Sequence, residues 1–437
     1  MNAPRRTARL RLALGAFAAL LALHARAEER LVLPGLASTA GIAGTRFVST
    51  VWITNPSDAE ISADLGLVTP AGPSSATPRV TIGPRATLRL DDVVASLFSS
   101  APGAGTLTVR SASPLVVRGV TANVADPRGT FGLALTASRA GDALRAGETG
   151  VAAWLAHTAA AGTLSRTNVA VTLLEAGSEA LVTLVDDSGL VRGEARVAGD
   201  APLFWQRSVS EIAADPEIPL GRVEVTVLRG SAVGYAAVVD NVTGDGILAP
   251  VRRTENPAGP PFSLLADGAA RTPGANGTLW RTALRLVNQG VAPVEAALES
   301  AGMGTVVRAT RVVPPRGILE VDDVLGALGL PEGSAGAVRV TSGSRLAALA
   351  ATRNVDPAGR AGTFAAAQEP VPAGALSGPG RTLVLAGLAH AAGSTGFRTN
   401  LAILAGDAGA RATLRLRSSA GAVLAEGSAD VAPGAWV

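Results

Sequence analysis

Cysteine is absent from the 437 residues, so no disulfide framework, thiolate metal site or cysteine nucleophile can form. Lysine is absent too. All 38 basic residues are arginine, which removes Schiff-base chemistry and the phosphate-gripping lysine of a P-loop. Histidine occurs three times, tyrosine once, and aromatics make up 3% of the chain. What remains is apolar and turn-rich. Hydrophobic residues reach 47%, charged residues only 17%, and 51 glycines and 27 prolines punctuate the chain. That composition can build large cores, and the length suggests about three domains as a first division.

Residues 1–27 read as a secretory signal peptide. Arg5, Arg6, Arg9 and Arg11 precede the apolar run Leu12–Leu23, and Ala25-Arg26-Ala27 gives a small-x-small cleavage pattern before Glu28. The run is too short for a membrane-spanning helix, which needs about 20 apolar residues. No cysteine follows it to carry a lipid anchor. Removing these 27 residues takes five arginines with them, so the net charge of +3 becomes −2, with 33 arginines against 35 carboxylates. The arginines are scattered rather than clustered with aromatics, which excludes a nucleic-acid surface. The expected location is secreted or extracytoplasmic, in a periplasm or at a cell surface.

The remainder is repetitive. One segment recurs four times, as Phe47–Ile53, Ser165–Val171, Trp280–Leu286 and Phe397–Ile403, with starts 118, 115 and 117 residues apart. Its odd positions are apolar or Ser/Thr and its even positions polar or small, the period of a strand with one buried face. A second alternating segment follows each copy (Ile61–Leu67, Ala180–Leu184, Val294–Leu298, Ala412–Leu416). A glycine-led strand comes later in the first three: Gly105–Val109, Gly221–Val225 and Gly336–Val340.

The units alternate in type. The first and third share Asp-Asp-Val (Asp91–Val93, Asp322–Val324) and Gly-Thr-Phe (Gly129–Phe131, Gly362–Phe364). The second and fourth share Leu-Ala-His (Leu155–His157, Leu388–His390), Arg-Thr-Asn (Arg166–Asn168, Arg398–Asn400) and a tryptophan (Trp205, Trp436). Short strands with regular turn signals and no helical periodicity predict an all-β chain of tandem immunoglobulin-like β-sandwiches in an A-B-A-B order. The expected boundaries are 28–147 for A1, 148–256 for B1, 257–378 for A2 and 379–437 for B2. Gly/Pro/Ala-rich links near 141–150, 254–261 and 370–380 suggest semi-rigid beads on a string. B2 lacks the glycine-led strand and the final strand. It is therefore expected to be an incomplete sandwich with an exposed edge, as in a piece of a longer chain.

Two segments, Trp280–Asn288 as W-R-T-x-L-x-L-x-N and Val238–Asp245 as V-V-D-N-x-T-G-D, resemble tandem immunoglobulin-like repeats of secreted, largely uncharacterised bacterial proteins. The resemblance covers almost all of the chain after residue 27 and implies a repeat type but no activity. A1 departs from it, carrying Phe47 and Trp52 at the usual Trp and Arg positions.

Candidate chemistry is sparse. Neighbouring side chains on a strand point to opposite faces, so Asp91-Asp92 and Asp322-Asp323 cannot flank one bond as a glycosidase pair must. They fit caps on a helical turn instead. Asp240–Gly246 invites a calcium reading, but Val242 and Gly244 occupy two ligand positions of an EF-hand loop, and a self-closing Asx turn fits better. His157 and His390 are equivalent, one per B unit, too few for a zinc or catalytic cluster, and Ser165 has Phe397 as its counterpart. Arg166, Arg281 and Arg398 fall on the face opposite the core, where solvation or interface pairing is expected. Trp280 is expected in the core. Trp52 and Trp205 are the candidate partner-contact residues.

The sequence therefore reads as a non-catalytic, exported scaffold for a cell surface, stalk or adhesion apparatus, with no cofactor, no metal and no catalytic residues. Its partner would be a protein or a glycan. The competing reading is a glycan-binding or accessory array of a secreted enzyme whose catalytic part lies elsewhere.

Overall fold

The computed structural model describes residues 28–127, 129–158, 165–253, 261–274, 277–355, 363–390 and 399–437. The signal segment, Arg128, most of the second link, Asp356-Pro357, Gly362 and the Phe397-Arg398 pair lie outside them. Strands account for 59% of the chain and helix for 6%, arranged in several antiparallel sheets. Among the described residues no helix is long and apolar enough to cross a membrane.

In A1 the long first strand Glu29–Ala40 lies between Gly103–Ser111 and Arg46–Thr54, inside a ten-stranded sheet ordered Gly72–Pro73, Ile61–Thr69, Gly103–Ser111, Glu29–Ala40, Arg46–Thr54, Val116–Asn123, Phe131–Thr136, with three short strands attached. The first strand changes register between Pro34 and Leu36, and its last residues, Ser38–Ala40, turn to pair with Arg46–Val48. Gly35 sits at that bulge with φ +90, a conformation that side chains rarely adopt. A2 repeats the device. Phe262–Pro273 bulges between Ala266 and Ala269 at Gly268, φ +63, and joins Ser334–Ser342 to Leu279–Val287 in a nine-stranded sheet.

B1 instead builds two separate five-stranded sheets around one core. One runs Leu144–Arg145, Ser231–Asp240, Ser165–Leu173, Leu203–Ser208, with Gly246–Pro250 on Ser231–Asp240. The other runs Val191–Gly199, Ser178–Asp186, Ile218–Arg229, Thr149–His157, Arg252–Arg253. Val169 and Val171 from the first meet Val182, Leu184, Val223 and Val225 from the second, all almost fully buried.

A hydrogen bond at the third position of the recurring segment appears in all four units. The hydroxyls of Ser49, Thr167, Thr282 and Thr399 accept from the backbone N–H of Ala37, Ala156, Ala270 and Ala389 at 2.7, 3.2, 2.8 and 3.2 Å. A second hydroxyl completes it only in A1 and A2, where Thr121 pairs with Ser49 (2.6 Å) and Thr352 with Thr282 (2.8 Å). Those threonines donate to the carbonyls of the bulge glycines Gly35 and Gly268. In B1 the residue opposite Thr167 is Val238, and Thr167 returns its proton to the Ala156 carbonyl. Thr399 does the same to Ala389. The hydroxyl of the recurring strand thus ties down a neighbouring segment in each case, and the partner differs with unit type.

The expected beads on a string are absent. Leu144–Arg145, in the first link, is an edge strand on Ser231–Ala232, and Val371–Pro372, in the third, pairs with Leu264-Leu265. B1's Ala170, Phe204, Tyr235 and Ala237 belong to the same buried cluster as the A1 core. A2's Ala283, Val287, Ile318, Leu349 and Ala351 belong to that of B1. Small residues at the even positions of the recurring strand let the next unit press against it, so both faces of that strand are buried.

Trp280 is not a core residue. It is half-buried at the start of its strand, where its indole covers Gly274, as Phe47 covers Gly41. In B2 only Ala410–Arg417 and Val423–Val431 form strands, while Thr399–Ile403 and the described stretch before it form none.

Candidate functional site

The turn at Asp240–Asp245 is the most heavily engaged polar site among the described residues. Asp240 Oδ1 accepts from the N–H groups of Val242 and Thr243, both at 2.8 Å, closing the turn as an Asx motif does. Its other oxygen leaves B1 altogether, accepting from the Thr363 N–H (2.8 Å) and the Thr363 hydroxyl (3.1 Å) of A2. Thr243 returns a bond to the Thr363 carbonyl. Asp245 accepts from the Ala365 N–H at 2.8 Å and from the N–H groups of Gly132 and Gly246. Gly132 follows Phe131, and Ala365 follows Phe364. The two A units thus present the same N–H to one carboxylate of B1, and the two phenyl rings stack against each other with centroids 4.7 Å apart.

Burial pushes the Asp245 carboxyl up to about 6, against the pull of the three N–H donors and with a further push from Asp240. Both oxygens that a calcium ion would use at Asp240 already accept from two donors each. The turn is a clamp between units, built from the Gly-Thr-Phe motif that the two A units share.

A second seam joins B1 to A2. Arg285, nearly fully buried, stacks on the Trp154 indole with its guanidinium carbon 4.0 Å from the ring centroid. It donates to the Leu155 carbonyl at 2.9 Å and pairs with Glu320 at 3.1 Å. A third contact joins all three. Arg252 of B1 donates to both carboxylate oxygens of Glu369 of A2 and to the Ser138 hydroxyl of A1 (3.1 Å). It stands in a cleft of about 630 Å³ at the three-way junction, walled by Leu31, Val151, Leu264 and Leu349. Sequence reasoning missed Arg285, Arg252, Glu369 and Thr363. The available signal was Ala283 and Val287 beside Arg285 on a nominally outward face, which reads as apolar surface needing cover.

The residues singled out in the sequence scatter. Trp52 is partly buried, with Arg89 at 5.9 Å from its ring, and Gly387 of B2 lies over it, a Cβ there falling 3.4 Å from the indole. Trp205 is partly buried against the B1 core opposite Val171, with Arg207 at 6.0 Å. The two are not brought together. His157 is buried and its Nδ1 accepts from the Thr167 N–H at 3.1 Å, and burial lowers its pKa. His390 is exposed. Arg281 pairs with Asp323 and Glu332, and Arg166 donates to Asn241.

The two acidic pairs behave differently. Asp323 caps the short helix Val324–Ala327 by accepting from the Gly326 N–H at 2.9 Å, and it also pairs with Arg271. Asp92 precedes Val93–Phe98 with φ 43, a left-handed conformation in which it makes no side-chain cap, and its Oδ1 is buried without a hydrogen-bond partner. Asp323→Ala will therefore cost about 1–2 kcal/mol, the worth of a lost cap. Asp92→Gly will be neutral or stabilising by about 1 kcal/mol, since it removes left-handed strain. Urea denaturation of the two variants checks both signs.

The sequence matches no protein-family model and no curated protein. A solved structure described as "Structural insight into host cell surface retention of a 1.5-MDa bacterial ice-binding adhesin" aligns over 74% of this chain and 90% of its own. Identity is 13% and the TM-score 0.11, a likeness too slight to carry an argument about fold or function.

Proposed function

We propose that this chain is an exported, non-catalytic repeat protein whose tandem immunoglobulin-like units, in A-B-A-B order, form a rigid scaffold at a cell surface, in a stalk or in an adhesion apparatus. The alternating hydroxyl pattern at Ser49, Thr167, Thr282 and Thr399 supports the order of units. One observation carries the function: the buried ionisable groups that could do chemistry are spent on holding units together. Asp240 and Asp245 bind backbone N–H groups of the A units, Arg252 bridges all three units, and Arg285 is locked between Trp154 and Glu320. A carbohydrate-binding array would instead present open aromatic faces, whereas Trp52 lies beneath Gly387 and Trp205 packs on the B1 core.

Export is tested by N-terminal sequencing of the protein collected outside a secreting host, which will begin at Glu28; retention of Met1 in an intracellular product overturns it. Rigidity is tested by calorimetry of the full chain, where A1, B1 and A2 will melt in one transition. Three separable transitions would return the units to independent beads. Saturable oligosaccharide binding that disappears in Trp52→Ala or Trp205→Ala would establish the carbohydrate-binding reading in its place.

A further inference from the structure

B1 and B2 share a sequence pattern but not a set of strand partners, and the difference defines a docking surface. In B1, Ser178–Asp186 has Val191–Gly199 on one edge and Ile218–Arg229 on the other. Ser165–Leu173 has Leu203–Ser208 on one edge and Ser231–Asp240 on the other. B2 keeps the first partner in each case. Ala410–Arg417 pairs with Val423–Val431, and Ile403 and Ala405 exchange backbone hydrogen bonds with Val437 and Ala435, the stretch that holds Trp436. Among the described residues the opposite edges carry no strand.

The apolar face tells the same story. Leu155, Val169 and Leu184 are fully buried in B1, while their B2 equivalents Leu388, Leu401 and Leu416 are 49%, 50% and 46% exposed. In B1 the strands that help close the core over those residues are Ile218–Arg229, through Val223, Val225 and Val227, and Ser231–Asp240, through Ala236 and Val238.

We propose that B2 is a strand acceptor, whose two open edges and apolar face take a β-hairpin of the Ile218–Asp240 kind from a separate polypeptide. The first strand of that hairpin would open with glycine and alternate valines toward the B2 core; the second would be small and apolar. Backbone pairing supplies affinity and the alternating side chains supply register, the logic of β-strand addition. The B1 pairing fixes which edge and which residues meet: Val225 lies opposite Val182 and Val223 opposite Leu184, placing their counterparts against Leu414 and Leu416. A second copy of the chain is not the donor, because its own hairpin is held between Ser165–Leu173 and Ser178–Asp186. The proposal goes beyond the scaffold reading and stands without it.

The test uses the full chain and a fluorescein-labelled synthetic peptide of residues 218–240. Binding will be saturable, and tryptic cleavage after Arg411, Arg415 and Arg417 will slow about tenfold when the peptide is present, as expected for an edge that becomes paired. A peptide carrying Val223→Asp and Val225→Asp will bind at least about tenfold more weakly, since charge replaces the buried face. Leu414→Asp with Leu416→Asp in the chain will abolish binding, and the peptide arm keeps the result interpretable if that variant disturbs its own hairpin. Four results overturn the proposal: no saturable binding, equal binding by the aspartate peptide, protection confined to residues 165–240, or a dimer of the chain that the peptide does not compete away.

Discussion

Replacing Arg285 with alanine will lower the unfolding free energy by about 3–5 kcal/mol, the range for removing one partner of a buried ion pair. Three losses combine. Glu320 keeps its charge at a site where it is mostly shielded from water, the buried Leu155 carbonyl loses its donor, and the face of Trp154 is left bare. Arg285→Lys will recover less than half of the loss, because an ammonium cannot stack on the indole while reaching a carbonyl and a carboxylate together. The double change Arg285→Met with Glu320→Leu will recover most of it, since neither charge is then stranded. Calorimetry of the four proteins decides the matter. In Arg285→Ala the melting of A2 will separate from that of B1, because Ala283 and Val287 lose the anchor that holds them against the B1 core. A loss below about 1 kcal/mol, the worth of an exposed pair, would show that the seam does not depend on this residue.

The strands themselves are legible in the sequence. Arg46–Thr54, Ser165–Leu173 and Leu279–Val287 contain the three recurring segments that the period of two marks, and Gly103–Ser111, Ile218–Arg229 and Ser334–Ser342 contain the glycine-led ones. Alternation is visible because one face of each must be apolar whatever lies around it. End effects blur the rest. An aromatic at the first position of a strand sits where the core has already run out, so Trp280 covers a loop glycine rather than filling the sandwich. The paired acids at 91–92 and 322–323 have the same letters and different backbones. Only Asp323 reaches a free N–H group, because Asp92 is turned into the left-handed region. No local pattern announces that difference.

The seams are not legible, and the reason is physical. A small residue on the outer face of a strand reads the same whether water or another unit covers it. Ala170 and Ala283 therefore read as solvent-side positions, yet each is fully buried beneath a neighbour. Arginine hides the same way. Arg281 and Arg285 lie on one face of one strand, but only Arg285 has the indole of Trp154 across from it. The Asp240–Asp245 turn reads as self-closing, and half of it is. The other half depends on N–H groups from Gly132 and Ala365, which are 113 and 120 residues away in sequence. The repeated Gly-Thr-Phe is plain in the sequence. Nothing in it tells that the two copies face one another across a single carboxylate.

That carboxylate gives the second large effect, and its sign is set by burial. Asp245 has its pKa raised from 3.8 to about 6, chiefly by desolvation and also by Asp240 beside it, despite three N–H donors. A group whose folded pKa lies above its unfolded one contributes stability that is complete below the unfolded pKa and lost as pH rises through the folded one. Asp245 therefore stabilises the clamp most near pH 4 and progressively less up to pH 7. The full difference of about two pKa units corresponds to at most about 3 kcal/mol. His157 titrates in the same window with the opposite sign. Its pKa is lowered by burial, so it loses stability as pH falls, and comparison with Asp245→Asn cancels its contribution. The substituted amide cannot titrate, so the variant will be the less stable protein at pH 4, where it has one acceptor oxygen facing three donors. The gap will then narrow by about 2–3 kcal/mol by pH 7.5, since only the wild type must hold an ionised carboxylate out of water. Urea unfolding of both proteins at half-unit steps between pH 4 and 7.5 measures that gap directly. A gap that stays constant across the range would mean that Asp245 ionises in the clamp as freely as it does in water, and that the seam between the two A units is wetter than its burial implies.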